Sequence, residues 1–172
     1  MLKLAVALAF AMQSGEPPSL AVQQLRHVVG EWRVTTEFLA PDGTVRAAIP
    51  GTYEFRWISQ DKIVQGSSTL KDLGSAGILF FIHADGKLVE MVSVGRDGRL
   101  WHMVGPVDSE TRTTPNVTMP DGSTLMLRFT RYNVQADSFE SRMELSTDGG
   151  ATWVKGNHQT FSRCPADGCP KP

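Results

Sequence analysis

The sequence predicts an all-β fold: an antiparallel up-and-down barrel of roughly nine to ten strands, preceded by a short helix. From Gly30 onward, runs of residues alternate between apolar and polar side chains, the two-residue period of strands that bury one face. Asp-Gly dipeptides, which favour tight hairpin turns, lie between these runs at five places. A sheet of this length leaves aggregation-prone edges, so closure into a barrel is favoured over the alternative, a two-sheet sandwich.

The individual elements follow in order along the chain. Ser19 is expected to cap a short helix whose apolar residues share one face, and Gly30 ends it. Clear strand alternation covers Trp32–Phe38, Tyr53–Trp57, Leu125–Phe129 and Phe139–Leu145. Turns are predicted at Asp42-Gly43, Asp85-Gly86, Asp97-Gly98, Asp121-Gly122 and Asp148-Gly149. The barrel domain is therefore predicted to span residues 19–163, without the helical crossovers that parallel strands need.

The bulk composition indicates one ordinary globular domain. The chain has 172 residues, 41% hydrophobic and 20% charged, which is enough for a single sizeable core. Its formal net charge is -1, and no run of like charge stands out. Proteins that bind nucleic acids normally present a basic field to the phosphates, so a nucleic-acid partner is not expected. An anionic membrane surface is not expected either.

Residues 1–18 have the pattern of a signal peptide and spacer. Lys3 supplies a positive charge, residues 4–12 are apolar, and Ala9 and Ala11 are the small residues expected before a cleavage site. The apolar segment is too short to span a membrane, and no cysteine for a lipid anchor lies beside it. The sequence therefore predicts a periplasmic or secreted protein with no stable membrane anchor after processing. A frayed or weakly helical N-terminus is the alternative.

Residues 164–172 form a C-terminal tail that carries both cysteines, Cys164 and Cys169. The four residues between them include Pro and Gly, which allows a small disulfide loop in an oxidising compartment. A metal-binding pair is the weaker interpretation, because no other cysteine and no nearby histidine could complete the site. Export and disulfide formation support each other.

Two sets of residues carry a resemblance to known families. Gly30-Glu31-Trp32 resembles the Gly-x-Trp signature of the calycin (lipocalin-like) barrels, with Arg163 as its usual partner. The resemblance implies that the Arg163 guanidinium lies across the Trp32 ring and closes one end of the barrel. The order of motifs from Val28 to Arg163, above all residues 143–153, resembles a bacterial family of unknown function, domain family 1579. That family implies a lipocalin-like barrel with a central cavity and no established reaction.

The predicted barrel interior is large and apolar. Its inward-facing candidates are Phe38, Tyr53, Phe55, Trp57, Phe80, Ile82, Leu127, Phe129, Met143 and Phe161. Barrels of this size can hold one small ligand, and such pockets are mostly apolar with a few polar groups. We therefore predict that a small hydrophobic molecule is bound by Tyr53, Phe55, Trp57, Glu90, Phe129 and Gln159. The alternative is that these side chains pack a solid core.

Catalytic signals are few, and no catalytic residue is predicted. No nucleophile elbow occurs, and Ser67-Ser68 has no evident base. Glu90 is the exception: on an interior face it would be a buried acid with a raised pKa. If Val89 and Met91 face the interior instead, Glu90 lies in water. An isomerase or hydrolase that uses Glu90 and a nearby histidine on a small apolar substrate is therefore the alternative to a binding module.

The histidines His27, His83, His102 and His158 are predicted to be structural or solvated, because no pair has the spacing of metal ligands. Nitrobindin-type haem barrels are more distant relatives by architecture, and they place a haem-ligating histidine on a late strand, where His158 lies. If Phe161 points inward, alternation along the strand turns His158 outward. A β-bulge at Gly156 would change the orientation of the residues before it and leave that of His158 unchanged. Haem binding through His158 is the third hypothesis, and neither haem nor a metal is expected.

Overall fold

The computed structural model describes residues 17–95 and 98–169. Most of the predicted signal peptide and spacer lies outside the described residues, so that prediction stays a prediction. Within the described residues the chain forms one helix and eleven strands. They are α1 (Leu20–Val28), β1 (Gly30–Leu39), β2 (Val45–Ser59), β3 (Ile63–Leu70), β4 (Gly74–Ile82), β5 (Leu88–Val94), β6 (Leu100–Pro106), β7 (Thr111–Thr113), β8 (Val117–Thr118), β9 (Thr124–Gln135), β10 (Ser138–Ser146) and β11 (Val154–Arg163).

The strands close into an antiparallel barrel of ten strands, which confirms the predicted fold. Neighbours follow chain order from β1 to β7, then β9, β10 and β11, and β11 pairs with β1 to complete the ring. The short β8 pairs with β9 beside this ring. The closing pair sets Trp32 opposite Arg163 and Val34 opposite Phe161. Residues from the two ends of the domain therefore share one wall.

Four of the five Asp-Gly dipeptides join adjacent antiparallel strands, as their positions predicted, and Asp97 of the fifth lies outside the described residues. Gly43, for example, has φ 87°, and the Asp42 carboxylate accepts hydrogen bonds from the backbone N and the hydroxyl of Thr44 at 2.9 and 2.7 Å. Two further turns, β2–β3 and β3–β4, place Asp61 and Asp72 at φ 58° and 63°. Aspartate tolerates this left-handed region, so both turns form without an Asp-Gly dipeptide, and Gly74, at φ 81°, follows the second turn.

Helix α1 lies across one end of the barrel. Ser19 caps it, since its hydroxyl accepts a hydrogen bond from the backbone N of Val22 at 3.4 Å. The face of α1 that packs on the barrel buries Ala21, Gln24, Leu25 and Val28. At the opposite end the turns 40–44, 71–73, 119–123 and 147–153 are gathered, because successive antiparallel strands alternate in direction. The two ends are therefore built differently: a helix covers one, and loops rim the other.

The helix-covered end is sealed by Trp32 and Arg163. Trp32 has no exposed surface, and its indole N–H donates to the carbonyl of Val28 at 2.7 Å. The Arg163 guanidinium lies 4.2 Å from the Trp32 ring and donates to the carbonyls of His27 and Val29 at 2.8 and 3.0 Å. These bonds satisfy carbonyls at the C-terminus of α1 that have no partner within the helix. The contact is the one that the Gly-x-Trp resemblance implies.

The tail that follows β11 is held against β1. Cys164 and Cys169 form a disulfide, with their Cα atoms 5.1 Å apart. The backbone N of Cys164 donates to the carbonyl of Glu31 at 2.9 Å, and that of Cys169 to the Glu31 carboxylate at 3.2 Å. This disulfide fits an oxidising compartment. No helix in the described part of the chain has the length and apolar character needed to cross a membrane.

Candidate ligand-binding site

A cavity of about 200 Å³ lies inside the barrel, beneath α1. Its lining is mainly apolar and aromatic, with side chains from most strands of the ring, among them Tyr53, Phe55, Phe80, Met91, Phe129 and Phe161. Small residues also face it: Ala76 from β4 and Ser93 from β5. A ten-stranded ring is wider than the eight-stranded barrels that side chains just fill, so small residues at inward positions leave space at its centre.

The structure places the predicted ligand-binding residues in three different environments. Tyr53, Phe55, Phe129 and Gln159 line the cavity. Trp57 faces the same way as Phe55 on β2, but it packs against the buried core nearer the helix-covered end. Glu90 lies on the outer wall.

The expectation that Glu90 faces the interior is wrong. Val89 is fully buried and Met91 lines the cavity, so alternation turns the residue between them outward. There the Glu90 carboxylate lies 2.6 Å from Nε2 of His102 and 3.8 Å from Nε2 of His83. The acid and histidine of the enzyme hypothesis do meet, but on the outer surface. The enzyme hypothesis requires both groups inside one cavity, so this arrangement does not support it.

Gln159 organises a polar network in the cavity wall. Its amide N–H groups donate to the hydroxyls of Thr36 and Tyr53 at 2.9 and 3.0 Å, and its carbonyl accepts from Ser141 at 3.2 Å. Burial raises the pKa of Tyr53, so the phenol is neutral at physiological pH. Every amide atom of Gln159 is thereby used, and the network holds the Tyr53 ring at the cavity wall in one orientation.

Arg112 lines the cavity although nothing in the sequence singled it out. It lies on the three-residue strand β7, is only 2% exposed, and points into the barrel. Its guanidinium lies 4.6 Å from the Phe80 ring and donates through Nη2 to the side-chain carbonyl of Gln24 on α1. Its Nε is buried without a hydrogen-bond partner. Burial lowers the pKa of Arg112 to about 10, which leaves it charged at neutral pH.

A second arginine, Arg131, lines the same end of the cavity but has a counter-charge. Its Nε and Nη2 donate to the two oxygens of Glu110 at 2.8 and 2.9 Å. Its Nη1 lies 3.1 Å from Nδ1 of His27, whose Nε2 lies 2.7 Å from the carbonyl of Gln135. A carbonyl only accepts, so His27 donates through Nε2 and accepts at Nδ1 as a neutral ring. Burial, together with the nearby arginines, lowers the pKa of His27, which agrees with a neutral ring.

His158 lies on the outer wall, as alternation predicted. The register between β10 and β11 shifts opposite Gly156, so this bulge precedes His158 and leaves its orientation unchanged. Its two ring nitrogens lie 3.0 and 2.8 Å from the carboxylates of Glu37 and Glu140. Partial burial opposes the shift, but these hydrogen bonds together raise the pKa of His158. His158 is therefore not placed to reach a haem in the cavity.

Comparisons with known proteins support the architecture. The sequence matches no protein-family model and no curated protein, so membership of domain family 1579 stays a prediction. The crystal structure of Rv2717c from M. tuberculosis is similar, with 13% identity and a TM-score of 0.59, covering 84% of this chain and 98% of that one. The S-type phycobiliprotein lyase CPES from Guillardia theta has 9% identity and a TM-score of 0.53, covering 84% and 92%. At these identities the likeness shows the fold alone, and it fits a calycin-like barrel.

Proposed function

We propose that this protein binds a small hydrophobic molecule inside its barrel. The observation that carries the proposal is the cavity of about 200 Å³ with a predominantly apolar and aromatic lining. An apolar cavity of roughly 150 Å³ in another protein binds benzene, so this space suits a molecule of one or two rings or a short branched chain. The Gln159 network supplies the fixed polar groups that such pockets use to orient a ligand.

The size of the cavity argues against an incidental packing defect. An unfilled apolar space forfeits the dispersion contacts that its lining side chains would otherwise make. Larger side chains at Ala76 or Ser93 would fill the space without breaking a wall hydrogen bond shown in this structure. A ligand that occupies the space recovers the lost contacts, and this favours binding as the role of the cavity.

The two ends of the barrel suggest how a ligand enters. Near α1 the cavity is bounded by Gln24 and Val28, under the seal that Trp32 and Arg163 make. In the other direction it reaches Ala76, where β4 begins. We place the entrance at this loop-rimmed end, because no backbone hydrogen bond of α1 has to break there.

The direct test fills the cavity. Ala76→Phe puts a ring into the space, and Ser75→Phe, one residue away on the exposed face of the same strand, is the matched control. We expect 2-naphthamide, measured by titration calorimetry, to bind the wild type and Ser75→Phe equally and Ala76→Phe at least about tenfold more weakly, since the inserted ring displaces the ligand. Equal binding by a folded Ala76→Phe contradicts the proposal, as does a wild type that binds neither 2-naphthamide nor its carboxylate analogue 2-naphthoate.

We further propose that the protein works outside the cytoplasm, supported by the Cys164–Cys169 disulfide and by the signal-like residues 1–18. Expression of the full chain in a Gram-negative host, followed by mass measurement of the periplasmic fraction, tests it. Export predicts a shortened chain with both thiols oxidised. A full-length, reduced protein in the cytoplasm contradicts it.

A further inference from the structure

We infer that the cavity recognises a carboxylate on an otherwise apolar molecule, through Arg112. The inference rests on the proposed interior binding and names the chemistry of its ligand. Arg112 lines the cavity with 2% of its surface exposed, and its Nε has no hydrogen-bond partner. A buried, charged donor without a partner is costly, and an anion in the cavity would supply what it lacks.

Four other arginines that stack on aromatic rings in this barrel have a counter-charge. Arg128, Arg131, Arg142 and Arg163 each lie over a ring and within 3.5 Å of a carboxylate. Arg112 lies over Phe80, but its guanidinium donates to the neutral side chain of Gln24. The most deeply buried of these arginines is therefore the one without a carboxylate beside it.

The neighbouring charges compensate Arg112 only in part, because Glu110 attracts its charge without bonding to it. Glu110 is the nearby carboxylate, but both of its oxygens accept from Arg131. His27 is neutral, as its hydrogen bonds require. Two guanidinium groups thus share one carboxylate at this end of the cavity. One further anion would balance the charge.

The site is built to hold the guanidinium in this position. Gly105 on β6 lies under β7, where a Cβ would come within 2.2 Å of the Thr111 carbonyl and 3.0 Å of Cγ of Arg112. Any side chain there would therefore displace β7 and the stem of Arg112. On the other side, Gln24 is itself fixed, because its amide donates to the carbonyl of Ser109 at 3.0 Å.

These features select the kind of anion and its orientation. The planar guanidinium matches a carboxylate, whereas a phosphate carries more charge and needs more donors than this mainly apolar lining offers. Arg112 lies near α1, while the cavity extends toward Ala76 and Met143. The ligand therefore binds with its carboxylate beneath the helix and its apolar part toward the loop-rimmed end.

The test compares two ligands of equal size, 2-naphthoate and its neutral amide 2-naphthamide, by titration calorimetry on the full protein. We expect the wild type to bind naphthoate at least about tenfold more tightly, because hydrogen bonds to a charged partner contribute more than neutral ones. Arg112→Met should remove this preference. The control Arg128→Met, an arginine stacked over Trp153 and outside the cavity lining, should keep it.

The outcomes separate this inference from the proposed function. If the amide binds the wild type as tightly as naphthoate, the carboxylate inference is overturned and interior binding stands. If Arg112→Met folds and keeps the preference, the assignment to Arg112 is overturned. If neither compound binds the wild type, interior binding itself fails. The wild-type comparison needs no variant, so a poorly folding Arg112→Met leaves the inference testable.

Discussion

The two ends of the barrel use the same pair of residues in different settings. Trp32 and Trp153 each lie under an arginine at 4.2 Å, and each indole N–H donates to a nearby carbonyl, at 2.7 and 3.0 Å. Trp32 is fully buried beneath α1, whereas Trp153 ends the β10–β11 loop and is only half-buried. The Trp32 contact lies inside the barrel beneath α1 and seals that end. Arg128 lies between Leu127 and Phe129, which face the interior, so the Trp153 contact lies on the outer wall and leaves the loop-rimmed end accessible.

The largest expected effect tests this difference between the ends. Trp32→Ala should lower the free energy of unfolding by about 3–5 kcal/mol, because it opens a space among Val28, Phe139 and Phe161 and removes the ring beneath Arg163. Trp153→Ala should cost about 1 kcal/mol, since its ring is partly solvated already. Urea denaturation of both variants measures the two values. Equal losses would contradict the view that burial beneath α1 makes Trp32 the more important of the two.

A second pair of substitutions compares the two arginines that lie beneath the helix-covered end. Arg131→Met leaves the Glu110 carboxylate without its hydrogen-bond donors and should cost about 2 kcal/mol, reduced from the value for a fully buried pair because Glu110 is partly exposed. Arg112→Met should change stability by less than about 1 kcal/mol in the absence of ligand, since it removes a buried charge that has no carboxylate partner. Thermal unfolding of the two variants compares them directly. A greater loss for Arg112→Met would mean that its role is structural.

The smallest effect concerns the outer wall, where charges are matched. The folded-state pKa of His158 is raised by Glu37 and Glu140, so its stabilising contribution is present below the unfolded pKa of about 6.5 and is lost as pH rises through the folded value. We expect the difference in unfolding free energy between wild type and His158→Gln to shrink by up to about 1 kcal/mol between pH 5.5 and 8.5. Urea midpoints at both pH values measure it. A difference that grows with pH contradicts this assignment.

Much of the fold was predictable because its signals are local. Alternation and Asp-Gly turns are read over a few residues, and the four fully described dipeptides join paired strands. The same two-residue alternation predicted the inward orientation of four residues and the outward orientation of His158. The four inward residues are Tyr53, Phe55, Phe129 and Gln159. These positions lie on strands whose two faces differ clearly in polarity.

The site was less predictable where local signals fail. Strand β5 carries apolar residues on both faces, with Val89 and Met91 inside and the partly exposed Leu88 and Val94 outside, so alternation could not decide the side of Glu90. Arg112 lies on a three-residue strand, too short to show a period, and arginine is normally a surface residue. Its burial follows from barrel closure, which places β7 between β6 and β9.

A crystal structure of the protein with 2-naphthoate is the most direct test of interior binding through Arg112. We expect the naphthalene rings in the cavity, pointing toward Ala76, with the carboxylate about 2.8 Å from the Arg112 guanidinium. Naphthoate bound only on the outer wall, or rings in the cavity with the carboxylate turned away from Arg112, would contradict it.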